Sequence, residues 1–311
     1  MAVYPINGSH PDYSGNIIPT LWSRKLLERF YDASVVPAIS TTDYLGEIKN
    51  MGDTVVINQV PDITITPYKM GDTLVNQRPA QVSLDLTIDQ GNYWSFIMDD
   101  VADAQSMFNM TGPWADNASE RMKITVDTEV LAFMRTRPDA ANKGATAGRI
   151  SQDINLGTTG APRVIDNTNV LNLIIDLGLV LDEQNIPETG RKLVMPMSVA
   201  ALLKKSDLRN ASITGDTVSV LRNGLLGTID RFEIYGSNLM PTVSDTVGGN
   251  PTTCTYIYAV HPMATTFVTQ LVKSETIRSE LTFGTIMRGL QVYGRGVVQP
   301  KAFAAAYIQK V

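Results

Sequence analysis

Residues 82–88 read Val-Ser-Leu-Asp-Leu-Thr-Ile, alternating apolar and polar side chains without a break. A β-strand turns successive side chains to opposite faces, so this run predicts a strand with one buried and one solvated face. Thr54–Val60 and Asp62–Thr66 read as companion strands, and Lys69-Met70-Gly71-Asp72 supplies a turn between them and the alternating run. A long hairpin over residues 53–89 follows. A two-stranded hairpin is marginal in water by itself. Its apolar face therefore needs cover, from the rest of the chain or from a neighbouring subunit.

β-structure returns late. Within residues 273–310, Gly284, Gly289, Gly294 and Gly296 punctuate runs rich in Ile, Leu, Val and Tyr. The expectation is a series of short strands joined by turns. Outside the two β regions the period changes. Leu21, Trp22, Leu26, Leu27, Phe30 and Tyr31 fall at helical spacing after Pro19, which predicts a helix over 20–33. Gly112-Pro113 opens a longer helix that Pro138 stops, with Ala115, Ala118, Met122, Val126, Val130 and Phe133 on one face. Lys123 and Asp127 are spaced for an ion pair on its other face.

Residues 139–163, rich in Gly, Ala, Thr and Asn, read as a linker or mobile loop between domains. A helix over 169–184, capped near Asn167 or Thr168, is apolar nearly all round and is expected to be deeply buried. Arg191–Met195, Thr228–Tyr235 and Thr255–Val260 read as strands, Met197–Lys205 as a helix and Asp245–Thr253 as a surface loop. Alternating helices and strands between 166 and 270 predict a compact α/β core. Residues 1–18, rich in Pro, Gly, Ser and Asn, read as an extended arm.

Composition removes several functions. Net charge is −5 without a Lys/Arg block, which argues against avid binding to phosphates. A charged fraction of 18% is below the usual ~25%, as expected where much of the exterior faces other protein. Cys254 is the only cysteine, so no disulfide forms within the chain. No apolar stretch reaches the ~18 residues a membrane helix needs, and residues 1–16 lack the features of a secretory signal.

Candidate chemistry is sparse. His10 and His261 are the only histidines, too few for a Cys/His zinc site. Asp99, Asp100 and Asp103 form a small acidic cluster that lacks the turn glycine and further oxygens of a dedicated calcium loop. Cys254 and His261 invite a nucleophile–base reading but match no catalytic spacing. Gly294-Arg295-Gly296 lacks the third glycine and the helix of a phosphate loop. No catalytic residue, metal or cofactor is expected.

Five segments, in order, resemble the major capsid proteins of tailed bacteriophages, with the Hong Kong 97-type fold. They are Ile18-Pro19 with Trp22-Ser23-Arg24-Lys25-Leu26, and Asp43-Tyr44-Leu45-Gly46-Glu47-Ile48 with Gly52-Asp53-Thr54-Val55. Next come Leu181-Asp182-Glu183, Ile186-Pro187 and Gly190-Arg191 with Val194-Met195-Pro196. Gly224, Gly227-Thr228-Ile229, Phe232-Glu233-Ile234-Tyr235, Ser237-Asn238 and Pro241 form the fourth. Phe283-Gly284, Arg288-Gly289-Leu290, Tyr293-Gly294 and Pro300-Lys301-Ala302 form the fifth. Arg231 departs from the family, which often has Gly before the Phe.

The resemblance implies an α+β capsid subunit. Its parts are an N-terminal arm and first helix (1–46), an extended loop (47–91), a peripheral domain with a long spine helix (92–145 and 268–298) and an axial α/β domain (146–267 and 299–311). It implies self-assembly as pentamers and hexamers into an icosahedral shell around packaged DNA. The site is then the virion, with assembly in the host cytoplasm, and the chain is not an enzyme. Scaffolding and portal proteins are the implied partners, with a decoration protein as a further one and no membrane. With Met1 opening the arm, a cleavable scaffolding segment ahead of it is not expected. Contacts between subunits are expected at Trp22, Arg24, Val55, Ile57, Lys69, Leu84 and Leu86. Some members of the fold cross-link through a hairpin Lys, an Asn and a Glu. Lys49 and Lys69 are present, but residues 281–297 contain neither Asn nor Glu, so no cross-link is expected. An encapsulin-type compartment shell and an α/β enzyme are the alternatives.

Overall fold

A computed structural model describes residues 34–41, 54–61, 63–80, 82–100, 111–206 and 228–310. The helix expected over 20–33 lies outside them. The described strands form three sheets. The largest runs β4 (Arg163–Ile165), β12 (Phe303–Lys310), β9 (Asn250–Val260), β5 (Arg191–Met195), β7 (Phe232–Gly236), β6 (Thr228–Ile229), with β8 (Thr242–Val247) also paired to β9. The β4–β12 and β5–β7 pairs are parallel, and the others in this sheet are antiparallel.

Strand parity divides this sheet between two cores. Leu193, Met195, Ile257, Ala259, Ala304, Ala306 and Ile308 point to one side, against α3 (Val170–Glu183) and α4 (Met197–Lys205). Their neighbours Val194, Tyr258, Val260, Phe303 and Ala305 point to the other. There they meet α1 (Val36–Ile39) and the last turns of α2 (Thr111–Met134) through Val36, Ile39, Val126, Val130, Leu131 and Met134. Strands buried on both faces read as continuous apolar runs, which is why Ala302–Ile308 carries no polar residue.

The second sheet orders β10 (Thr265–Arg278), β11 (Gly284–Val297) and β3 (Gln90–Asp99), all antiparallel. Spine helix α2 lies on one face. Trp94 stacks on Phe96, which meets Trp114 of α2 edge-on at 5.7 Å, and the Tyr293 hydroxyl donates to Glu129 of the helix. Burial and the Glu129 carboxylate both push the Tyr293 phenol well above its ordinary pKa. The third sheet is a two-stranded ribbon, β1 (Thr54–Gln59) with β2 (Val82–Thr87).

Several expectations change. The glycines of the C-terminal region are not turns: Gly284, Gly289, Gly294 and Gly296 all lie within the single fourteen-residue strand β11. They make room for crossing chain. A Cβ on Gly289 would sit 2.5 Å from the Trp94 indole, and one on Gly294 2.8 Å from the Thr87 carbonyl oxygen. β3 was not anticipated, although its inward positions Asn92, Trp94, Phe96 and Met98 alternate with the outward Tyr93, Ser95 and Ile97. Asp127 does not pair with Lys123, which bonds Glu120 instead. Its buried carboxylate accepts from the Val35 N–H at 2.8 Å and the Val36 N–H at 3.4 Å, fixing α1 onto the spine helix.

Residues 139–163 are a packed staple. The buried Asn142 side chain donates to the Lys301 and Phe303 carbonyls and accepts from Gln184, joining the end of α2 to β12 and α3. The expected loop at 245–253 is the β8–β9 hairpin, turning on Gly248-Gly249, both at positive φ. The strand expected over 228–235 is instead a tight hairpin, turning on Asp230 (φ 45°) and Arg231 (φ 67°). Helix α3 is not buried all round: Ile175 and Leu179 are exposed on its outer side.

Candidate assembly surface

The ribbon β1–β2 is anchored only at its base. Ile57 and Leu86 are buried inside the chain, with Leu84 half-buried beside them, on a small core with Ile88, Val268 and Val298. A Cβ on Gly296 would lie 2.8 Å from Leu86, so that glycine admits the ribbon to the sheet. Beyond Gln59 and Val82 the ladder stops, and the strand expected at 62–66 does not form. Described residues 63–80 are all exposed. Ile63, Ile65, Tyr68, Met70, Leu74 and Val75 stand in water, Ile65 at 92% of its full exposure.

At the end of this arm the expected turn is present. The Asp72 N–H donates to the Lys69 carbonyl at 3.0 Å, and the Lys69 N–H to the Asp72 carboxylate at 2.9 Å. Lys69 is exposed there. Of the expected contact residues, then, Ile57 and Leu86 serve the chain's own core, Leu84 borders it and Lys69 sits free at the tip. Val55 lies on β1, with its side chain outside the described set, and Trp22 and Arg24 lie outside the described residues.

Further apolar surface was not anticipated from the sequence. The β10–β11 turn presents Leu281 and Phe283, almost fully exposed. It is held by the Ser279 hydroxyl, which accepts from the Leu281 and Thr282 N–H groups. Arg278 braces its root with a two-pronged ion pair to Asp100 at 2.8 Å. Tyr93, Ile97 and Leu290 lie exposed on the sheet face away from α2.

The seven-stranded body is locked by charge. The Arg191 guanidinium is 1% exposed, pairs with Asp182 at 2.7 Å and donates to the Pro187, Ile186 and Gly178 carbonyls. Asp182 also takes Arg231 at 3.1 Å, which reaches Glu188 at 2.7 Å. The hydrogen bond to Glu188 comes first among the influences that raise the Arg231 pKa, followed by the Asp182 charge. The departure from the family's Gly is thus accommodated: a side chain in the left-handed region is held by three acids, Asp230 being the third.

The chemical alternatives fail on geometry. Cys254 and His261 lie seven residues apart along and just past one strand, about 23 Å at ~3.3 Å per residue. The His261 Nδ1 accepts from the Met263 N–H at 3.3 Å, and burial lowers its pKa. Asp100 is committed to Arg278, and no group of three metal-ligating side chains occurs among the described residues. Gly294-Arg295-Gly296 is strand interior.

No family model matches the chain, and no curated protein matches it in sequence. Solved structures do match. One from Mycobacterium phage Che8 aligns with a TM-score of 0.77 at 25% identity, over 94% of this chain and 97% of that one. The mature capsid of bacteriophage PhiM1 aligns with a TM-score of 0.70 at 18% identity, over 98% and 95%. The chain has the Hong Kong 97-type capsid fold. The capsid of cyanophage P-SCSP1u shares it at 15% identity, with a TM-score of 0.69 over 95% of this chain and 93% of that one.

Proposed function

We propose that this chain is the major capsid protein of a tailed double-stranded DNA phage, building pentamers and hexamers that close into an icosahedral shell. The observation that carries this reading is the uncovered arm. Six large apolar side chains between Ile63 and Val75 face water in a chain with the capsid fold, and exposed apolar surface of that kind marks an interaction site. Arm and body are different surfaces, so a contact between them is head-to-tail and closes rings of identical chains.

In this reading the seven-stranded body is the axial domain (146–267 and 299–311). The three-stranded sheet and α2 form the peripheral domain (92–145 and 268–298), with 47–91 as the extended loop and 1–46 as the arm. Scaffolding, portal and decoration proteins are the further partners, and assembly takes place in the host cytoplasm. The DNA is enclosed without sequence reading, consistent with a net charge of −5. No catalytic role is assigned. Without Asn or Glu in 281–297, the exposed Lys69 finds no cross-linking partners there, and boiled particles run as one band near 34 kDa.

The test is electron microscopy of the purified protein co-expressed with its neighbouring genes. Uniform closed shells holding DNA support the reading. Shells holding an enzyme cargo point to a compartment protein, and persistent monomers under all conditions refute both.

A further inference from the structure

Two short crossings join the seven-stranded sheet to the three-stranded one. Residues 261–264 lead from β9 into β10, and residues 298–302 from β11 into β12. The crossings are tied to each other by main-chain hydrogen bonds. The His261 N–H donates to the Ala302 carbonyl at 3.0 Å, and the Val298 N–H to the Ala264 carbonyl at 2.8 Å. Within the first crossing, the Ala264 N–H donates to the His261 carbonyl at 2.8 Å, and Pro262 has no N–H to place. The remaining donor, the Met263 N–H, goes to Nδ1 of His261 at 3.3 Å. One side chain thus completes the joint between the sheets.

Accepting at Nδ1 requires the neutral ring. An imidazolium carries a hydrogen on both nitrogens, so it meets the Met263 N–H with a donor where a lone pair is needed. The ring must then turn away, or the 262–264 turn must open. The surroundings favour the neutral form. His261 is half-buried, and burial pushes its pKa below the ordinary value; the Arg191 charge acts in the same direction and the Thr189 backbone against it. Nε2 faces the Thr189–Gly190 turn, where a Cβ on Gly190 would lie 3.9 Å away. Glu188, Lys192 and Lys301 are the other charged groups on the elements around the ring. The acids there are engaged elsewhere, Glu188 with Arg231 and Asp182 with Arg191 and Arg231.

We propose that His261 is a pH-sensitive latch on the joint between the two sheets, closed while the ring is neutral and released when it takes a proton. His10 and His261 are the only side chains in the sequence that ordinarily change charge between pH 5 and 8. Because the neutral ring is the one that fits, the joint is held fully above the unfolded histidine's pKa of about 6.5 and weakens as the pH falls below it. The latch belongs to the single chain and holds whether or not shells form.

Hydrogen–deuterium exchange of the full chain at about pH 7.5 and pH 5.5, corrected for the intrinsic pH dependence of exchange, tests it. The readout is the amides of Met263, Ala264 and Thr265, with those of α3 as the unmoved reference. In the wild type their protection should fall about three- to tenfold at the lower pH, the worth of one hydrogen bond. His261→Asn keeps a neutral acceptor at the cap and should hold protection at both pH values. His261→Ala offers no acceptor and should show low protection at both. His10→Gln should respond as the wild type does. An unchanged wild type, a response that survives in His261→Asn, or one that disappears in His10→Gln overturns the latch. If His261→Ala does not fold, the wild type and His261→Asn decide the matter between them.

Discussion

The seven-stranded body and the two-stranded ribbon use the same device, alternating side chains, to opposite ends. In the body both parities of the central strands are buried, one under α3 and α4 and the other under α1 and α2, so β5, β9 and β12 each contribute to two cores. In the ribbon one parity is buried, and only at the root. The body is thereby complete within one chain, and the ribbon is not. Self-sufficiency in this fold is a matter of how many faces a sheet has covered. The part left with an open apolar face is the part available to a neighbour.

Five substitutions would break or sharpen that contrast. The largest effect is expected from Arg191→Ala in the body. It leaves three carbonyls without their guanidinium, while Asp182, one-third exposed, keeps Arg231; unpaired buried groups of this kind cost about 1–3 kcal/mol each. Denaturant unfolding should show the loss, and little variant at wild-type stability would contradict the central place given to Arg191. In the ribbon, Leu86→Ala should cost about 2–3 kcal/mol because the root is a true if small core. The same truncation at Ile65 should stay within about 0.5 kcal/mol in the free chain, since that side chain has nothing to lose. Equal costs at the two positions would erase the distinction between root and arm.

Gly289→Ala tests the close packing inside the three-stranded sheet, where β11 pairs with β3. The new methyl meets Trp94 at 2.5 Å, and the indole must shift at a cost of about 1–2 kcal/mol. A melting temperature unchanged from wild type would mean that the glycine is there for another reason. The smallest effect is expected from Arg231→Gly, which relieves a left-handed residue while giving up solvent-screened ion pairs. Melting should change no more than for the Ile65 truncation and become less sensitive to salt. A large destabilisation would make the Asp182–Arg231–Glu188 network a structural necessity.

Much of the architecture was legible where periodicity is one-sided. The alternation in Val82–Ile88 and the spacing of Val126 and Val130 each declare a single buried face, and both regions fold as expected. Legibility failed in two physical circumstances. Gly289, Gly294 and Gly296 read as turns because a glycine shows only the absence of a side chain, and absence serves a close crossing as well as a bend. The staple at 139–163 read as a linker because its order comes from Asn142, whose partners Lys301, Phe303 and Gln184 are distant in sequence.

The candidate surface was half legible. The ribbon's root followed from the alternating pattern, and the Lys69–Asp72 turn from its glycine. Which residues the cover must reach did not. Ile57 and Leu86 were expected at a subunit contact and lie inside the chain, whereas Ile63, Ile65, Tyr68, Met70, Leu74 and Val75 stand exposed along the arm.

By itself, the sequence determined the spine helix, the alternating strand of the ribbon and the capsid resemblance. Those rest on local period and on residue chemistry, which short segments carry. Only the tertiary structure decided which apolar face is buried at home and which is left open. That depends on where a strand runs off the end of its support, a distance set by the packing of Val268 and Val298 against the ribbon's root.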